Sequence, residues 1–390
     1  MTAEWFDLGQ RLHASATHQV VARLAHTPVA AAARPVAVRA TTTRGGLLVA
    51  AADPSGAVHS AYDRPALAML AALGVTITAP TPATLVTDSP ATLALLHRLA
   101  RTAERDDADD DVAAHIAWWR DRADFPGGHA VVDLASSCRD RWVTGQDPAA
   151  EDHLETWRSW LGVPDPSITG LLTLYRLLCT GSPLPVLAVL SEDTAYTWGS
   201  AQQAHADGLD WRWPDTTSRA AFGLRSRCDA ADLYASGLLS DPDYRRRAVH
   251  TGHVVTGRAE RPDEADRRRS CRVVCDRLDV RLRPGTQVTG WTGTPSDEPD
   301  VRYAGAVSAA DVQAGSLVLT VSGLTGSLPD HGDPVTLHQA PVQPSRLRAA
   351  SKAYRSLYAA RRSWLTTGKT PTPTRRPVPL DVLVAGAEPD

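Results

Sequence analysis

The segment from Pro341 to Leu380 carries Arg346, Arg348, Lys352, Arg355, Arg361, Arg362, Lys369, Arg375 and Arg376, and not one Asp or Glu. Guanidinium groups are permanently charged, planar donors that match phosphate oxygens. A row of them releases counterions on meeting a polyanion, which makes the affinity salt-dependent. On helical geometry Arg348, Lys352, Arg355 and Arg362 share one face, with Leu347, Ala350, Tyr354, Leu357, Tyr358 and Leu365 on the other. The spacing predicts a basic helix, N-capped by Ser345, whose apolar face docks on the domain before it. The stretch after it, TTGKTPTPTRRPVP, reads as extended. The competing role for these charges is pairing with the acidic run Arg101–His115. The apolar face is small and aromatic-polar, which argues against a membrane surface.

Other constellations carry less chemistry. Gly368-Lys369-Thr370 resembles the end of a phosphate loop, but Ser363 stands where the loop needs Gly, and the stretch follows a helix instead of opening one. Motifs of the GxSxG, HExxH and dinucleotide-binding types do not occur. His250 and His253 are two imidazoles without a third ligand in view, and read as a turn leading into a strand. Trp211-Arg212-Trp213 could stack bases, or could anchor a core. The five cysteines are odd in number and scattered, so reduced, mostly buried thiols are expected over a disulfide framework.

At 390 residues the chain is long enough for two or three domains. Its longest apolar stretches, such as Leu184–Leu190, fall far short of the roughly 20 residues of a membrane span. The first residues lack the apolar core of a secretory signal, so the expected address is the cytoplasm. The net charge of −3 hides local extremes, and local sign is what a polyanion senses.

Periodicity supplies the elements that would position these groups. Met1–Ala33 reads as one helix with Leu8, Leu12, Val20, Val21 and Leu24 as its apolar positions. Strands are expected at Val36–Ala40, Leu47–Ala52, Ala57–Tyr62, Thr84–Thr87 and Ala130–Leu134. Helices are expected at Pro65–Leu73, Pro90–Thr102, Val112–Arg122 and Leu154–Leu161, the acidic run being a solvated link. Further on, Ile168–Leu178 and Asp229–Leu239 read as helices and Val186–Leu190 as a strand. After Tyr244 come short alternating runs broken by Gly and Asp: His253–Gly257, Cys271–Cys275, Thr286–Trp291, Ala304–Ser308, Ser316–Ser322 and Pro334–His338. They predict a small β-barrel.

The order strand, strand, strand, helix, strand, helix, strand, helix over Val36–Leu161 resembles the ribonuclease H-like fold. The sharpest point of resemblance is Leu85-Val86-Thr87-Asp88-Ser89, similar to the turn whose Asp helps that family hold magnesium. The resemblance implies a first acid in VAVRATTT, where Arg39 and Ala40 stand, and a second in PALAMLAALG, which has none. Two Mg²⁺ ions about 4 Å apart need several converging carboxylates. An active Mg²⁺-dependent nuclease would therefore need Asp88, Asp133 and Glu151 or Asp152 to converge. The barrel followed by a basic helix resembles, in texture only, the small barrel that precedes the motor core of superfamily-one helicases.

The sequence thus predicts an α/β plus all-β chain. A ribonuclease H-like mixed sheet with helices would span 1–161, a helical connecting region 162–243, a small β-barrel 244–343, and a basic helix with an extended tail 344–390. The expected function is non-catalytic nucleic-acid binding as an accessory subunit, with an ATPase or helicase as partner and no cofactor. A nuclease and a pure protein-interaction subunit are the alternatives.

Overall fold

The computed structural model describes residues 2–105, 107, 109–127, 130–212, 215–260, 270–297 and 302–345, together with 347, 349, 352, 353 and 356. Helix α1 (Ala3–Thr17) is followed by the short strand β1 (Val21–Ala22). Next come β2 (Pro35–Thr43), β3 (Gly46–Ala52), β4 (Val58–Tyr62), α2 (Pro65–Ala72), β5 (Thr84–Thr87), α3 (Pro90–Ala100), α4 (Asp110–Arg122) and β6 (Val131–Asp133). The α/β part continues through α5 (Leu134–Arg141), β7 (Trp142–Val143), a 3-10 turn (Ala150–Asp152), α6 (Leu154–Trp160) and α7 (Ile168–Leu178).

Five strands form one mixed sheet in the order β4-β3-β2-β5-β6. Strands β2, β3 and β4 run antiparallel, and β2, β5 and β6 are parallel. Alternation along the strands divides two cores. Val36, Val38 and Ala40 of β2 face α2, α3 and α4, whereas Ala37, with Val86 and Val132, faces α5, α6 and α7. Helix α7 therefore belongs to the layer that covers the sheet.

The expected single helix over Met1–Ala33 ends at Thr17. His18 takes the left-handed conformation (φ 53°), and the chain then pairs Val21 and Ala22 with Val143 and Trp142. Leu8 and Leu12 do not enter the core: together with Trp5 they are exposed at 42%, 62% and 64%, in that order. The inward face of α1 is ionic instead, with Asp7 on Arg247 and Arg11 on Glu151.

The middle of the chain holds α8 (Val186–Ala206), α9 (Thr217–Leu238) and α10 (Pro242–His250). The strand expected at Val186–Leu190 is the first turn of α8. Its buried residues Val186, Leu187, Leu190, Thr194 and Trp198 continue at helical spacing past the short apolar run. The acidic run is exposed at Glu104, Arg105 and Asp107, as a solvated link would be, but acids within it are paired. Asp107 and Asp109 pair with Arg64, Asp110 with Arg212, and Asp111 with His205.

The last described unit is a closed antiparallel barrel of β8 (Val254–Glu260), β9 (Ser270–Cys275), β10 (Gln287–Thr292), β11 (Tyr303–Gln313), β12 (Ser316–Gly326) and β13 (Pro334–Gln339). Its order is β10-β11-β12-β9-β8-β13. Each of the six expected runs becomes a strand. At Gly290 a Cβ would lie 2.5 Å from Leu337 Cδ2 and 2.8 Å from Tyr303 Cζ, so only glycine lets both side chains fill the interior.

Arg245 of α10 joins barrel to helices. Its fully buried guanidinium donates to the carbonyls of Leu239 and Ser240 on one side and of Pro295 and Asp297 on the other. It also lies 5.2 Å from the Trp291 ring. Of the apolar face expected to dock on the barrel, Ala350, Tyr354, Leu357, Tyr358 and Leu365 lie outside the described residues. Val342 N donates to Ser236 Oγ, and Leu347 is buried with Leu184, Leu187 and Leu233 of the helical region.

Candidate functional site

The carboxyl ends of the parallel strands bring charged side chains together. Asp88 follows β5 and Asp133 ends β6, with Thr87 in register with Asp133. Ala37 of β2 is in register with Val86, so Arg39, two residues on, stands level with Asp88. Its Nε donates to Asp88 Oδ2 and its Nη1 to the Pro166 carbonyl. The pair is partly shielded, with side chains 33% and 19% exposed.

Asp88 leaves the capping of α3 to Ser89, whose Oγ accepts from Ala91 N. Asp133 caps α5, Oδ1 accepting from Ser136 N at 2.9 Å. Its Oδ2 is buried and has no hydrogen-bond partner among the described residues. Burial, reinforced by the nearby Asp88 charge, pushes the Asp133 carboxyl above the ordinary carboxylate range. Asp133 also borders a cavity of about 170 Å³ between α5 and α9, lined by Ser136, Ser137, Asp140, Phe125 and Tyr234.

The other two acids lie elsewhere. Glu151 is fully buried in its 3-10 turn. Both its oxygens bind Arg11 at 2.8 Å, and Oε1 also accepts from Thr144 N and Oγ1. Burial raises its carboxyl, but the Arg11 and Thr144 hydrogen bonds outweigh that and hold it below its ordinary value. Asp152 is exposed and pairs with Arg139. This donor set does not suit magnesium: Asp88 is occupied by Arg39, Glu151 by Arg11 and Thr144, and Asp152 by Arg139. Among the described residues no three His, Cys, Asp or Glu are grouped to hold a metal ion.

Of the basic residues expected to contact phosphate, Lys352 is helical and exposed. Arg346, Arg348, Arg355, Arg361, Arg362, Arg375 and Arg376 lie outside the described residues, as does Trp213. Arg212 is spent on Asp110 and Asp210, and Trp211 packs beside His97. His250 lies against Phe6, and His253 is exposed and hydrogen-bonded to Thr251. The five cysteines are free thiols. No described helix is long and apolar enough to cross a membrane.

The unsatisfied oxygen of Asp133 has a measurable cost. Asp133→Asn keeps the capping oxygen and removes the charge. A half-buried acid with a raised folded value weakens the fold as pH rises from the unfolded value of 3.8 through the folded one, and costs nothing below both. The variant is therefore expected to melt higher than the parent at pH 7 and to lose that advantage below pH 4. Equal shifts at both pH values would show that charge is not the cause.

No protein-family model, curated protein or solved structure matches this chain.

Proposed function

We propose that the chain is a non-catalytic nucleic-acid-binding accessory protein, built on a ribonuclease H-like α/β domain whose metal site has been replaced by an ion pair. The observation that carries this reading is the Arg39–Asp88 pair at the carboxyl edge of β2 and β5. In the family the sheet resembles, the opening strand and the Asp88 position contribute acids to a magnesium site. Here Arg39 and Ala40 stand on that strand, and Arg39 neutralises Asp88. The sheet order β4-β3-β2-β5-β6, with β2, β5 and β6 parallel, supports the same fold-level reading.

Binding would fall to the acid-free basic segment after Pro341. The internal alternative is weakened because Asp107, Asp109, Asp110 and Asp111 already hold Arg64, Arg212 and His205. An ATPase or helicase subunit is the kind of partner such an accessory protein would serve.

Fluorescence anisotropy with labelled single- and double-stranded oligonucleotides tests this. Affinity is expected to fall steeply between low and physiological salt. Changing Arg348, Lys352 and Arg355 together to Glu should flatten the logarithmic salt slope on duplex DNA by about 0.9 for each phosphate the variant no longer neutralises. Absent or salt-indifferent binding, or unchanged affinity of the triple variant, would overturn the proposal. Magnesium-dependent cleavage of the probe would favour the nuclease alternative.

A further inference from the structure

Strand β4 forms one edge of the five-stranded sheet, and none of its residues is buried. Its register with β3 tells which backbone groups point away from the ladder. Asp63 N donates to Leu47 O, and Asp53 N to Ala57 O, within the same antiparallel ladder. Hydrogen-bonded and non-bonded pairs alternate along such a ladder. Ala57, His59, Ala61 and Asp63 therefore direct their N–H and C=O groups inward to β3. Val58, Ser60 and Tyr62 direct theirs outward, past the edge.

The side chains follow the same alternation. Ala61 packs towards the core beneath α2. Val58 and Tyr62 lie on the opposite face, 54% and 48% exposed. Edge strands are ordinarily guarded by a Lys, a Pro, a bulge or an inward charge. The sequence Val-His-Ser-Ala-Tyr has none of these, and its pairing with β3 is regular.

We infer that β4 is a self-association edge that pairs antiparallel with β4 of a second copy, about a two-fold axis at Ser60. The register is self-complementary. Ser60 meets Ser60 of the other copy, and Val58 meets Tyr62 in both directions. All three outward residues then become hydrogen-bonded pairs together, and two such sheets join into one of ten strands. The Val58–Tyr62 contacts are β-branched–aromatic cross-strand pairs, a favoured combination on a sheet face. Within Val58–Tyr62 no like charges are placed opposite each other. A five-residue strand buries less than the roughly 1,200 Å² of a standard interface, so a dissociation constant in the micromolar range is expected.

Sedimentation velocity on the full chain from about 1 to 200 μM tests the pairing, with a monomer-to-dimer shift expected. Ser60→Pro removes an outward N–H and leaves the β3 ladder intact, which an edge position tolerates. It should abolish the dimer while the circular dichroism spectrum stays that of the parent. Val58→Lys places a guard on the same edge and should weaken association at least tenfold, so the inference remains testable if the proline variant fails to fold. A chain that is monomeric throughout, a dimer that persists in folded Ser60→Pro, or a dimer of undiminished affinity in Val58→Lys overturns it.

Discussion

Glu151→Ala is expected to destabilise the chain by about 3–5 kcal/mol, the usual result of removing one partner of a buried ion pair. The carboxylate binds Arg11 through both oxygens and also satisfies Thr144 N and Oγ1, so its loss strands a guanidinium and a buried backbone donor together. Glu151→Gln retains an acceptor for Thr144 and should fall between alanine and the parent. The effect depends on pH with a definite sign. The folded carboxyl titrates below its ordinary value of 4.5, so its stabilisation is complete above that value and is lost on acidification through the folded one. Denaturant unfolding of parent and variants at pH 7 and pH 3 measures both effects. An alanine variant that unfolds with the parent at pH 7 would show that the pair does not anchor α1.

Arg245→Ala should cost at least about 3 kcal/mol, because it leaves the carbonyls of Leu239, Ser240, Pro295 and Asp297 without their charged donor and opens a void beside Trp291. Arg245→Lys should recover little of this. An ammonium is a point charge that cannot span carbonyls on both sides. The two carbonyl pairs belong to the helical region and the barrel, so calorimetry of the variant should resolve two transitions where the parent shows better-coupled unfolding. An unchanged trace for Arg245→Ala would refute the coupling.

Much of the architecture was legible because local patterns were regular. Alternation with turn chemistry located the five sheet strands and all six barrel strands, and Ile168–Leu178 matches α7. Errors arose where distant partners decide. Leu8 and Leu12 have the spacing of a core face, yet α1 turns them outward because Asp7 and Arg11 find Arg247 and Glu151, 240 and 140 residues away. Val186–Leu190 has the length of a strand, and its helical period emerges only when Thr194 and Trp198 are included. At the candidate site Arg39 and Asp88 could each be singled out, but their pairing follows from the parallel register of β2 and β5. The burial of Glu151 left no local signal, since its Arg11 partner lies on a different element.

The latch on α1 also bears on the order in which the molecule is assembled. Asp7 waits for Arg247, and His26 for Asp241, across 240 and 215 residues of later chain. Closing loops of that length before any contact rewards them is slow, and folding rates fall as contacts become less local. Helix α1 is thus synthesised long before the Arg247 side of its seat exists, and that contact can close only after the one with Glu151 has become possible. In that interval both of its faces, the ionic one and the one bearing Trp5, Leu8 and Leu12, are open to other chains, and it is there that a folding assistant would have most to shield.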